Sequence, residues 1–102
     1  MPNQNITVTQ MRRRAGQVTR FLKSIANEQR LLVLCQLCSG EKTAGELTQV
    51  TGLSQSAVSQ HLAKLRDNRI VKTRRKSQYI YYSLNSEETE AVIKLLYNLY
   101  CK

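Results

Sequence analysis

Helix-breaking residues are scarce in this chain of 102 residues, which has one proline and four glycines. Tryptophan is absent, and no apolar run approaches the roughly 18 residues that a membrane-spanning helix requires. The N-terminal stretch MPNQNITVTQMRRR also lacks the apolar core of a secretory signal. Together with 41% apolar residues, these absences predict a compact, helix-rich protein in the cytoplasm, with no membrane partner.

Residues that carry catalysis are also few. The single histidine, His61, has no catalytic partner that the sequence indicates, and there is no glycine-rich phosphate-binding motif. We therefore expect neither an enzyme nor a resident cofactor. The three cysteines are an odd number in a chain expected to be cytoplasmic, where structural disulfides are rare.

Acidic residues are outnumbered, with 7 Asp and Glu against 16 Lys and Arg, for a net charge of +9. Such an excess favours polyanionic partners, nucleic acid before anionic membranes. Net charge alone is explained equally well by solubility. A function in nucleic-acid binding therefore needs a structural element that reads the nucleic acid.

Apolar residues recur every three or four positions from Thr9 to Ala26 and predict an amphipathic helix. A second helix is predicted to begin after Asn27, a possible N-cap, and to stop at Ser39 and Gly40. The first helix would place one apolar stripe on one side, formed by Met11, Ala15, Val18, Leu22 and Ile25.

The middle of the chain has the pattern of a helix-turn-helix. Thr43 and Glu46 have capping-box spacing before a short helix, Gly52 ends that helix, and Ser54 can cap the helix QSAVSQHLAKLRDN. The segments IVKTRR and YIYYSL then alternate with period two around a polar turn and predict a β-hairpin whose inward-facing residues are Ile80, Tyr82 and Leu84. The fold class is thus mainly α with a small β-hairpin, a winged helix-turn-helix.

The last helix is predicted to start at a capping box formed by Asn85 and Glu88. From Ala91 onward it is apolar nearly all round, although a terminal helix in a small domain should have a wet face. Part of it should therefore meet a second chain, which makes the fold homodimeric. We expect residues 1–8 to be a flexible tail and residues 9–102 to be one DNA-binding and dimerisation domain.

The predicted DNA contacts are of two kinds. Polar side chains lie on the outer side of the second helix of the helix-turn-helix, and cations lie in the β-hairpin that follows it, which forms the wing. Ser and Gln can hydrogen-bond base edges and phosphates in the major groove, and basic residues bind the phosphate backbone. Each group alone is more often simply part of the solvated surface, but their order on a basic chain favours double-stranded DNA. These residues are Ser54, Gln55, Ser56, Ser59, Gln60, Lys64, Arg74, Arg75 and Lys76.

The stretch LTQVTGLSQSAVSQHLAKLRDNRIVKTRRKSQYIYYSL resembles the winged-helix core of the ArsR/SmtB family of bacterial repressors, and the match extends from about Leu22 to the end. The resemblance implies a homodimer built on the first and last helices, operator DNA as the partner, and residues 54–64 as the recognition helix. It places His61 in helix packing rather than in a ligand set.

Metal sensing is common in that family, but its known divalent-metal sites are absent from this sequence. The stretch GELTQV has no cysteine where one site of the family has Cys-x-Cys. The last helix has Glu87, Glu88 and Glu90 but none of the histidines of the other site. Zinc and nickel need nitrogen or thiolate ligands, so we expect no metal at either place.

Cys35 and Cys38 lie in the apolar run LLVLCQLC, and spacing alone favours a role as small packing residues. Cys101 differs, because a penultimate residue gains little from burial. The segments RLLVLCQL and LYC resemble the persulfide- and redox-sensing branch of the family, typified by BigR, SqrR and HlyU. That resemblance implies Cys35 and Cys101 as the sensing pair. Cys38 departs from the two-cysteine pattern and is either packing or an accessory thiol.

The resulting hypothesis is a cytoplasmic homodimeric repressor. Reactive sulfur species or oxidants would switch off its operator binding through a Cys35–Cys101 disulfide or polysulfide bridge. One alternative is a thiol-based repressor that responds to arsenite or another soft metal. Another is a constitutive DNA-binding protein with structural cysteines.

Overall fold

The computed structural model describes residues 5–101, and residues 1–4 and 102 lie outside the described part. The predicted mainly helical fold with a winged helix-turn-helix arrangement is confirmed. Within residues 5–101, no helix has both the length and the hydropathy to cross a bilayer. The elements in chain order are α1 (Val8–Ile25), α2 (Glu28–Leu37), β1 (Lys42–Thr43), α3 (Ala44–Thr51), α4 (Gln55–Asp67), β2 (Val71–Lys76), β3 (Tyr79–Leu84) and α5 (Glu87–Tyr100).

Helix α1 begins one residue before the predicted start, so the predicted tail divides into two parts. Residues 1–4 lie outside the described residues, and residues 5–7 precede α1 without regular structure. Thr7 is the N-cap of α1, and its hydroxyl accepts a hydrogen bond from the Gln10 backbone N–H at 3.2 Å. The single-domain assignment of residues 9–102 stays a prediction.

Three predicted helix caps are confirmed. Asn27 Oδ1 accepts from the Arg30 backbone N–H at 3.0 Å at the start of α2. Thr43 and Glu46 form the expected capping box of α3. Ser54 Oγ accepts from the backbone N–H of Ala57 at 3.1 Å at the start of α4. Caps of this kind each contribute about 1 kcal/mol to stability, and they fix where α3 and α4 begin.

The predicted Asn85–Glu88 capping box is wrong. Ser86 caps α5, and its hydroxyl accepts from the Thr89 backbone N–H at 3.2 Å. Asn85 is held by the base of the wing instead, because its backbone N–H donates to the Ile70 carbonyl and its side chain donates to the Arg69 carbonyl, both at 3.0 Å. The cap therefore lies one residue later than predicted, at Ser86.

The sheet has three antiparallel strands in the order β1-β3-β2, so the predicted two-stranded hairpin was incomplete. The two residues of β1 pair with Tyr82 and Tyr81 of β3. Tyr82 and Leu84 pack against the core, as predicted. Ile80 does not, and 38% of it is exposed, because residues 74–80 near the turn are exposed on both faces of the hairpin.

The core lies between the helix-turn-helix, α2 and the start of α5. Its buried apolar residues are Ile25, Val33, Leu34, Leu37, Leu47, Val58, Leu62, Leu65, Ile70, Val71 and Ile93. Gly52 ends α3 with a left-handed φ of 73°, which only glycine adopts without strain. That turn sets the angle at which α4 leaves α3.

A large apolar surface remains uncovered on α1, α2 and α5 of one chain. Of the apolar stripe predicted for α1, only Ile25 is buried. Single exposed apolar residues are normal on a protein surface, but a contiguous group of them marks an interaction site. The exposed members are Met11, Val18, Leu22, Leu32, Leu95, Tyr97, Leu99 and Tyr100.

Candidate functional site

Helix α4 presents one polar side to solvent. Val58, Leu62 and Leu65 are fully buried and hold its other side against the core. The outward residues named from the sequence are all exposed: Ser54, Gln55, Ser56, Ser59, Gln60 and Lys64. The Ser54 hydroxyl already accepts the capping hydrogen bond from Ala57, so it would meet a phosphate as a donor.

The wing carries its cations beside the turn at residues 77–78. Arg75 pairs with Ile80 and Lys76 pairs with Tyr79 across the hairpin, and both basic side chains are exposed. Ser77 takes the left-handed φ of 60° that the tight two-residue connection requires. The two side chains are thus placed at the tip of a β-ribbon, where a phosphate backbone can reach them.

Arg74 lies in the same strand but is differently engaged. Its Nε donates to Glu41 Oε2 at 2.8 Å and Oε1 at 3.0 Å, and its Nη2 also donates to Oε1. Its guanidinium stacks over the Tyr81 ring, 4.7 Å from the centroid. The hydrogen bond from Arg74 lowers the pKa of Glu41. A phosphate would have to compete with this carboxylate for Arg74, whereas Arg75 has no carboxylate partner among residues 5–101.

A cavity of about 470 Å³ between α2 and α5 brings two of the three cysteines together. Cys35 reaches it from α2, and Cys101 reaches it as the C-cap of α5. Cys38 does not line it. The lining residues are Glu28, Leu31, Leu32, Cys35, Ile93, Leu96, Tyr97, Tyr100 and Cys101.

The cysteines are all free thiols, with Cys101 exposed and the other two half-buried. Burial and then the charge of Cys101 raise the pKa of Cys35. Burial, Cys35 and Glu90 raise the pKa of Cys38, against a lowering by Lys94. Because the thiolate is the nucleophile, a raised pKa keeps Cys35 mostly protonated at neutral pH. The exposed Cys101 is the more accessible of the two cavity thiols.

Within residues 5–101, no three His, Cys, Asp or Glu side chains are grouped closely enough to hold a metal ion. A trigonal sulfur site would need Cys38 to join the other two cysteines, and Cys38 lies outside their cavity. The geometry therefore gives the soft-metal alternative no support.

Sequence reasoning missed three contributors to these two sites. Glu41 is 33 residues from Arg74, and no local pattern links the two. Tyr97 and Tyr100 line the cysteine cavity, although the sequence showed them only as part of an apolar helix. Their spacing of three places them on the same side of α5 as Ile93 and Leu96, and that periodicity was the available signal.

Comparison with known proteins gives one family match. Residues 27–73, which run from the α2 cap into β2, match the bacterial regulatory proteins of the arsR family.

Three relatives extend the match over nearly the whole chain. The transcriptional activator HlyU of Vibrio cholerae is 43% identical, over 95% of this chain and 90% of its own. The structure of reduced HlyU superposes with a TM-score of 0.86, over 93% of this chain and all of that one. The biofilm growth-associated repressor of Xylella fastidiosa is 36% identical, over 95% of this chain and 85% of its own.

The crystal structure of the Xylella repressor, BigR, has a TM-score of 0.88 and covers 95% of this chain and 99% of that one. A third structure is the homodimeric winged helix-turn-helix DNA-binding domain of Mb0332 from Mycobacterium bovis. It is 26% identical, with a TM-score of 0.76 over 97% of this chain and 89% of that one.

Proposed function

Because the chain belongs to the arsR family of bacterial regulatory proteins, we propose that it is a cytoplasmic homodimeric repressor that reactive sulfur species or oxidants release from operator DNA. The family and the close relatives are regulators of transcription that bind DNA, not enzymes. The observation that carries the sensing proposal is the shared cavity of Cys35 and Cys101. Cys38, three residues along the same helix, lies outside it.

The proposed chemistry starts at the exposed thiol. The Cys101 thiolate attacks the outer sulfur of a persulfide R–S–SH, which forms Cys101–S–SH and releases the thiolate RS⁻. The Cys35 thiolate then attacks the inner sulfur of that persulfide, which forms the Cys35–Cys101 disulfide and releases HS⁻. Longer polysulfide reagents leave additional sulfur atoms in the bridge. An oxidant such as a peroxide would reach the same disulfide through a sulfenic acid at Cys101.

The bridge would act on DNA through the dimer. It joins α2 to the end of α5, and α5 carries exposed Leu95 and Leu99 on its uncovered side. A cross-link that closes a loop of this length raises the free energy of the unfolded chain by about 4 kcal/mol, because it reduces that chain's conformational entropy. If the bridge disfavours the DNA-bound form relative to the free form by about 1–3 kcal/mol of free energy, operator affinity falls about 5–150-fold.

The homodimer itself is supported by the uncovered apolar faces of α1 and α5 and by the homodimeric Mycobacterium relative. A two-fold dimer presents two copies of α4 to matching half-sites separated by about 34 Å, one turn of DNA, or a multiple of it.

The test uses reduced protein and an operator fragment selected from genomic DNA by affinity. After inorganic polysulfide is added, the intact mass of the denatured chain should fall by two hydrogen atoms and rise by one sulfur mass for every sulfur inserted, and operator binding should fall. Release by arsenite without covalent change would favour the soft-metal repressor instead. Unchanged operator binding after full thiol conversion would show a constitutive DNA-binding protein.

The contacts of α4 and the wing differ in what they should do to DNA binding. Gln60→Ala should change sequence preference at one base pair at a cost of about 1–3 kcal/mol, because Gln can read a base edge with two hydrogen bonds. Arg75→Ala should weaken all sequences alike and reduce the salt slope of binding by about one, because one phosphate contact is lost. Titrations of operator and scrambled DNA at several salt concentrations measure both. Unchanged affinity in both variants would place the DNA-binding surface elsewhere.

A further inference from the structure

His61 projects from α4 toward α2 rather than toward the DNA side of the helix. Its Nδ1 accepts a hydrogen bond from Arg30 Nε at 3.2 Å. Its Nε2 lies 2.8 Å from Gln29 Oε1. Because the Arg30 N–H can only donate, Nδ1 must be the acceptor, and the ring proton belongs on Nε2, where it donates to Gln29. Both hydrogen bonds exist together only in the neutral imidazole.

Arg30 continues this network to α1. Its Nη1 donates to the Ser24 carbonyl at 3.1 Å. Ser24 is buried in the last turn of α1, and its hydroxyl donates to the Arg20 carbonyl at 2.8 Å. One guanidinium therefore connects the end of α1 to the middle of α4, across α2.

We infer that Arg30 and His61 are positioning residues that fix the recognition helix relative to the dimer helix α1, and that operator binding requires the neutral imidazole. The inference rests on the proposed assignment of α4 to the major groove and of α1 to the dimer interface. Neither residue needs to touch DNA.

Hydrogen bonds matter here because the other contacts that hold α4 against the core are apolar. Val58, Leu62 and Leu65 hold the helix by burial, which is non-directional. Hydrogen bonds that involve a planar guanidinium and a ring nitrogen restrict the rotation of α4 as well as its distance from α2. In a dimer, any change in the angle between α1 and α4 is repeated by symmetry at the second half-site.

Protonation of His61 would place a second N–H opposite the Arg30 N–H and add a positive charge beside the guanidinium. Burial and then the charge of Arg30 lower the pKa of His61. Among residues 5–101, Arg30 of α2 is the ionisable side chain whose charge acts on the ring, and neither α3 nor β2 supplies a charged partner to it. Since the pKa is depressed, the neutral ring and its network persist at the ordinary value of 6.5, and the network is lost only as pH falls through the lowered pKa.

The direction of the pH effect separates positioning from simple charge. A solvated histidine on a DNA-facing helix gains a positive charge in acid and should bind DNA more tightly. The positioning role predicts the opposite, a loss of operator affinity in acid.

The experiment measures the affinity of the reduced full chain for operator by fluorescence anisotropy at constant salt, at about pH 7.5 and about pH 5.5. The parent should bind several-fold more weakly in acid. His61→Ala should bind about tenfold more weakly at the higher pH because a charged donor loses its partner. His61→Asn, whose Oδ1 can replace Nδ1 as the acceptor but cannot be protonated, should keep the affinity and lose the acid effect. Arg30→Lys, which lacks the fork that reaches both partners, should resemble His61→Ala.

The matched control is Ala63→His, which adds an imidazole at an exposed position on the same helix. It should show the solvated behaviour, with acid strengthening binding relative to the parent. Circular dichroism at both pH values confirms that each variant is folded. Tighter parent binding in acid, or equal losses in His61→Asn and His61→Ala, would overturn the inference. Gln60→Ala in the same titration tests the α4 surface, so failure of the proposed function is seen separately.

Discussion

Cys35→Ser and Cys101→Ser should each bind operator DNA like the parent and stay bound after polysulfide, whereas the affinity of the parent should fall about 5–150-fold. Each variant removes one end of the proposed bridge across the cavity between α2 and α5. Serine is close in size to cysteine, so neither change should disturb the cavity walls. Gel shift before and after treatment, with intact mass of the same samples, measures the response.

Cys38→Ser is the matched control, since it removes a half-buried thiol from the same helix outside the cavity. It should bind and release DNA as the parent does and form the same bridge. A Cys35–Cys38 bridge would stay within one helix and could not move α5. Loss of response in Cys38→Ser alone would show that the pair is misassigned. A full response in all three single variants would mean that the cysteines only fill space.

A paired change of Leu95 and Leu99 to Glu should convert the protein to a monomer and lower operator affinity by about three or more orders of magnitude, to about the level of non-specific binding. The two side chains are 56% and 67% exposed in one chain and lie four residues apart on α5, away from the cysteine cavity. Burying them against a second copy is favourable, and burying two unpaired carboxylates there is not. Light scattering at micromolar concentration and operator titration measure the two effects.

Asn98→Glu supplies the control, because it adds a negative charge beside the apolar pair on the same exposed helix and leaves both leucines in place. It should remain a dimer and keep most of its operator affinity. A parent chain that scatters light as a folded monomer at micromolar concentration would contradict the dimer, and the uncovered face of α5 would then need another partner.

The helix caps could be predicted from the sequence because each depends on residues only three positions apart. Asn27, Thr43 and Ser54 each bond a backbone N–H three residues ahead, and the sequence displays that spacing directly. The error at α5 had a tertiary cause. Asn85 and Ser86 are both residue types that favour the N-cap position. Because Asn85 donates hydrogen bonds to residues 69 and 70, Ser86 caps the helix instead.

The unpredicted parts of the sites depend on long-range contacts. Arg30 and His61 are 31 residues apart, and Glu41 and Arg74 are 33 apart, so no periodicity indicates either pair. Strand β1 was missed because two residues are too short for alternation to appear. For the cysteines, three-residue spacing put Cys35 and Cys38 on similar sides of a helix. Only the family resemblance separated them in the sequence, and the position of α5 separates them in space.

The strand order β1-β3-β2 leaves β2 as an open edge, with backbone donors and acceptors that can pair with a strand of another molecule. Four of its six residues are Lys or Arg, and the repulsion of those not paired with Glu41 opposes edge-to-edge association of wings from different molecules. The cations that would clamp phosphate thus also protect the free protein from aggregation. A wing with all four neutralised would offer an unprotected edge at which separate molecules can pair strand to strand.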